Sequence, residues 1–99
     1  MRTIKQYLNL KVSAAIGSCT GLADANANVI TASKVEFGDY QANGIMPIAK
    51  QLKTNPRELA NKVIEELDAL NLNIVQSYEV AGPGFINIYL SDVELLNRA

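Results

Sequence analysis

An α+β domain of two layers, with a small, mostly antiparallel sheet packed on three to four helices, is the architecture this 99-residue sequence predicts. Three observations predict it. Apolar residues at three- and four-residue spacing mark helices, and apolar–polar alternation by two marks short strands. The two kinds do not alternate regularly, as a parallel doubly wound sheet requires. The Gly82-Pro83-Gly84 turn is short enough that the strands on either side of it form an antiparallel hairpin. The element order read from these signals is helix, strand, helix, helix, hairpin, helix.

Ile4, Leu8, Val12, Ala15, Ile16 and Cys19 share one face of a first helix over residues 3–18, with Gly17 and Gly21 bracketing its end. Residues 20–28, rich in Ala, Asn, Asp and Gly, read as a loop. Alternation returns over 29–37 and predicts one strand, or one broken near Ala32-Ser33, with Val29, Thr31, Ser33, Val35 and Phe37 on a single face. Gly38 and Asp39 then form a turn into a second helix carrying Ala42, Ile45, Met46, Ala49 and Leu52. Pro47 favours a start near Asn43 rather than Tyr40, because proline is tolerated only in the first turn. Asn55-Pro56-Arg57-Glu58 is a helix start of cap, proline and third-position acid. Leu59, Val63, Leu67 and Leu70 follow on one face of that third helix. A strand over 74–80 and another over 85–90 flank the glycine-rich turn. Ser91-x-x-Glu94 has the pattern of a capping box for a last helix, cut off at Ala99 as in a piece of a longer chain.

Composition narrows the chemistry. The sequence has no histidine and one cysteine, so serine–histidine and cysteine–histidine catalysis, a zinc site and an internal disulfide are all excluded within it. A lone cysteine suits a reducing cytosol, and no apolar run approaches the ~20 residues of a membrane span. Catalysis, metal and cofactor are therefore not expected in these residues. The net charge of −1 is far from that of a domain held to nucleic acid by phosphates alone. Lys50, Lys53 and Arg57 nevertheless lie close together. A solvated helix face is the simpler account of them, and one or two phosphate contacts is the other.

Phe85, Asn87 and Tyr89 share one face of the last strand, opposite Ile86, Ile88 and Leu90. Aromatic rings beside a carboxamide provide the chemistry to stack on an unpaired base and hydrogen-bond its edge. Such a face is also commonly covered by protein. Two segments then bear on that choice together. Lys34-Val35-Glu36-Phe37-Gly38-Asp39-Tyr40-Gln41-Ala42-Asn43 and Ala81-Gly82-Pro83-Gly84-Phe85-Ile86-Asn87, in this order and at this separation, resemble the signatures of the N-terminal domain of arginyl-tRNA synthetases. The resemblance covers essentially the whole chain.

The resemblance implies a tRNA-recognition appendage that lies against the D-loop at the outer corner of tRNA. It implies base contact by Phe85 and Asn87, with Tyr89 in support. It also implies a class I catalytic domain elsewhere in the same chain, binding ATP and arginine. That domain's His-Ile-Gly-His motif is absent from a sequence without histidine. For Gly38 and Asp39 a turn-and-cap role is the simpler reading, and Gly82, Pro83 and Gly84 read as scaffold. The alternative function is a protein-interaction or dimerisation module anchored by Tyr78, Phe85 and Tyr89.

Overall fold

Thr3 opens the first helix, α1 (Ile4–Thr20), with a reciprocal capping box. Its hydroxyl accepts from the Gln6 N–H at 3.1 Å and its own N–H donates to Gln6 Oε1 at 3.0 Å. Here and below, the computed structural model describes residues 3–22, 25–32, 38–72 and 74–90. Helix α1 runs two residues past the expected end, to Thr20, and Gly21, with a φ of 78°, is its left-handed cap. Leu8, Val12, Ala15 and Ile16 are buried, with Ile4 and Cys19 packed beside them. Burial and the nearby Glu66 push the Cys19 thiol up, so it remains protonated and acts as a small apolar group.

The strand predicted over 29–37 is present at its start and stops before Ala32. Strand β1 is Val29–Thr31, and residues 33–37 lie outside the described part. A second strand, β2 (Tyr40–Ala42), stands where a turn leading directly into a helix was expected. Gly38 explains the difference. At φ 88° it lets the backbone run against the last strand, where the Asp39 N–H donates to the Ile88 carbonyl at 2.9 Å. Asp39 therefore caps no helix. Its Oδ2 accepts from the Leu90 N–H at 2.9 Å.

Helix α2 (Ile45–Leu52) takes the later start, leaving Pro47 in the first turn where no intrahelical N–H is needed. Helix α3 (Pro56–Leu70) begins as expected, with Asn55 Oδ1 accepting from the N–H groups of Arg57 and Glu58. Leu59, Val63 and Leu67 are buried, but Leu70 is 49% exposed because the helix ends there, at Asn71 in the left-handed conformation. Strands β3 (Val75–Ala81) and β4 (Phe85–Leu90) complete an antiparallel sheet of order β1-β2-β4-β3. A register irregularity between Val75 and Ser77 places Val75 opposite Leu90, so Val75 packs inward and Gln76 is exposed. The core lies between the helices and the Ile86, Ile88 and Leu90 face of β4. The helix expected from Ser91 lies outside the described residues. Among those described, no helix is long and apolar enough to cross a membrane.

Tyr78 sits on the core face opposite Ile88, with its hydroxyl buried and without a hydrogen-bond partner among the described residues. Burial, helped by Asp68 and Tyr7, pushes this phenol up to about 12. The unfolded phenol ionises near 10.0, so above that pH the unfolded state loses a proton that the folded state keeps. Stability from this group is full below pH 10 and lost as pH rises toward 12. The loss is on the order of 1 kcal/mol after allowing for solvent screening of a partly exposed ring. Tyr78→Phe is expected to match or slightly exceed the parent in melting temperature at neutral pH, and to flatten the decline between pH 10 and 12. Melting curves across that range check both.

Candidate nucleic-acid interface

The period-two geometry of β4 turns Phe85, Asn87 and Tyr89 away from the core. Strand pairing extends this face into a row, since Ile30 pairs with Gln41, Gln41 with Asn87 and Asn87 with Glu79. Phe85 and Tyr89 flank the row along β4. The Phe85 ring leans back over the turn, so that a methyl group at Gly82 would touch its Cδ2 at 3.5 Å. The Tyr89 ring lies beside Gly38 at the other end, 3.2 Å from where a Cβ would stand. Between the rings, Gln41 Nε2 donates to Asn87 Oδ1 at 2.9 Å. Two rings therefore bracket a pair of hydrogen-bonded amides.

Exposure on this face is uneven. Asn87 is only 1% exposed, whereas Phe85, Tyr89 and Gln41 are half-buried. Of the two residues expected to meet a base, Phe85 is thus partly open to solvent and Asn87 is buried. Gln41 was missed by the sequence reading because the strand that carries it was missed. The available signal was its place in the Lys34–Asn43 segment, two residues after Asp39, which alternation puts on one face.

The glycine-rich turn is held from below by the start of α3. A Cβ on Gly84 would lie 2.7 Å from Pro56 Cβ, and Arg57 Nη1 donates to the Gly82 carbonyl. Arg57 is thus brought to the foot of the Phe85 platform. Lys50 lines a mostly apolar groove of about 540 Å³ with Asn43, Met46, Pro47, Thr54 and Pro56, so it shares Pro56 with the turn. Lys53 is the left-handed C-cap of α2 and is exposed.

A family model described as the arginyl tRNA synthetase N-terminal domain matches residues 3–90. This chain belongs to that family. The arginine–tRNA ligases of Chromobacterium violaceum and Photobacterium profundum are 54% and 49% identical to it over 97 and 96 residues. Those alignments cover 98% and 97% of this chain but 16% of each ligase. The chain thus spans about a sixth of the length of these curated relatives. Among solved structures, arginyl-tRNA synthetase from Plasmodium falciparum superposes with a TM-score of 0.82 at 24% identity, over 98% of this chain and 18% of that one. The Thermus thermophilus arginyl-tRNA synthetase gives 0.79 at 22% identity, over 97% and 15%. At those identities the two likenesses speak to the fold. They agree with the α+β arrangement described above, an antiparallel sheet packed on helices.

Proposed function

We propose that this domain contacts tRNA for arginine at the D-loop, as the N-terminal part of an arginine–tRNA ligase working in the cytosol. The catalytic domain of the same chain would bind ATP and arginine and attach the amino acid. The 99 residues here would contribute recognition without chemistry or cofactor of their own. One observation carries the reading. In a member of this family, two rings bracket an amide pair on the sheet face turned away from the core. The Phe85 ring offers a π-face to an unstacked base, and the amides offer donors and acceptors for its edge. Charge favours one approach. Arg57 and Lys50 lie at the turn end, whereas Glu79 and Asp39 lie along the strands, so the phosphates of a bound loop belong beside the turn.

In the intact ligase, Phe85→Ala is expected to raise KM for tRNA about tenfold, the scale of losing one base–aromatic stack. KM for arginine and for ATP should stay where they were. Steady-state aminoacylation kinetics decide it, and an unchanged KM for tRNA removes Phe85 from the interface. Ile30, 38% exposed in the same row, is the observation on the side of a protein-docking face. A salt-insensitive dimer in sedimentation that persists whether tRNA is absent or present would favour that reading. A monomer favours tRNA.

A further inference from the structure

We propose that the groove between α2 and the start of α3 docks the body of the ligase, through a segment that sets an aliphatic side chain beside a carboxylate. This rests on the reading of the domain as the N-terminal part of a larger ligase, and it holds whichever residues meet tRNA. Met46 and Lys50, four residues apart, share one face of α2, with Pro47 beside them. Thr54 and Pro56, from the segment that passes from α2 into α3, complete the lining with Asn43. The space of about 540 Å³ takes a leucine-sized side chain with the backbone on either side of it. The two prolines have little freedom to lose on binding, and the unbranched Met46 adapts to what enters.

Three observations favour a protein segment over RNA. The lining is mostly apolar, which rewards an aliphatic anchor and offers little to a sugar–phosphate backbone. No acidic side chain is among its residues. Arg57 is tied to the Gly82 carbonyl and Lys53 lies outside the lining, so Lys50 is the cation set over this apolar floor, matched by a carboxylate beside the anchor. The Asn43 Oδ1 is buried with no hydrogen-bond partner among the described residues, and a backbone N–H of a seated segment supplies the missing donor. The occupant is close at hand. Most of the length of the matching ligases lies outside the aligned region, so the body is tethered to this domain and a modest contact suffices to hold it. The groove belongs to the helical layer, whereas Phe85 and Tyr89 look out from the sheet, so one domain can hold protein and RNA together.

The experiment uses the intact ligase. A benzophenone photocrosslinker in place of Thr54 is expected to join, in the absence of tRNA, a peptide from beyond Ala99 that carries an aliphatic residue next to Asp or Glu. Mass spectrometry of the digest identifies it. A crosslink to tRNA, to a second copy or only to residues of this domain overturns the proposal, and so does the absence of any crosslink. In hydrogen exchange without tRNA, Lys50→Glu is expected to speed the amides between residues 45 and 57 about tenfold. Lys53→Glu should leave them as in the parent, and the amides of β4 should stay protected in both variants, which reports an intact fold. Equal exchange in the two variants overturns the proposal. A change that appears only with tRNA bound gives Lys50 to a phosphate and overturns it too. KM for tRNA in Phe85→Ala checks the tRNA reading separately: if that value is unchanged while the Thr54 crosslink reaches the ligase body, the tRNA reading falls and the docking groove stands.

Discussion

Gly38→Ala is expected to destabilise the domain by about 2–4 kcal/mol, a large share of the stability of a chain this size. Two penalties combine at this position. The backbone sits at φ 88°, where an L side chain costs about 1–2 kcal/mol. The new methyl would also lie 2.7 Å from the Ile88 carbonyl oxygen and 3.2 Å from the Tyr89 ring, and the nearer of these is backbone that cannot yield alone. Gly21 separates the two effects. It has a similar φ of 78° but nothing within 4 Å of a Cβ, so Gly21→Ala should cost only about 1 kcal/mol. Urea unfolding of the two variants measures both, and equal midpoints would mean that the close approach of residue 38 to β4 is relieved by movement. Because the Tyr89 ring is one of the atoms displaced, Gly38→Ala should also disturb the open face.

Ile88→Ala is expected to cost about 3–4 kcal/mol. Ile88 is fully buried at the centre of the sheet, paired with Tyr40 on one side and Tyr78 on the other. Its neighbours are held by both ladders, so the space left by the lost methylenes cannot readily collapse. Ile30, the same residue type but 38% exposed on the opposite face, provides the contrast: Ile30→Ala should fall within about 0.5 kcal/mol of the parent. Denaturant midpoints of the pair test the assignment of the two faces directly. Comparable losses would mean that the outward face is covered in solution.

What the sequence made legible was local. Thr3 with Gln6, and Asn55 with Pro56 and Glu58, announce their helices because a cap is satisfied within one turn of chain. Pro47 fixed the later start of α2 for the same reason. The shared face of Phe85, Asn87 and Tyr89 followed from alternation alone. Strand β2 did not, because Gly38-Asp39-Tyr40 has the composition of a turn. What makes those residues a strand is pairing with β4, some 46 residues away at the Gln41–Asn87 bond. The burial of Asn87 was hidden with it, since the side chain that pairs with Asn87 comes from the strand that was not seen. The irregularity after Val75 is likewise a property of the pair β3–β4 rather than of either segment.

β4 lies between β2 and β3 in the sheet and is the last of the four strands along the chain. On a ribosome, α1 would leave the exit tunnel with no Ile86 or Ile88 to bury its apolar stripe against, and the β1–β2 pair would wait with one edge open. The nascent segment must therefore stay uncommitted until about Leu90 has emerged, then close as a unit. The face bearing Gln41 and Asn87 forms only in that closing step. Any truncation that removes β4 would leave β2 and β3 without the strand that joins them.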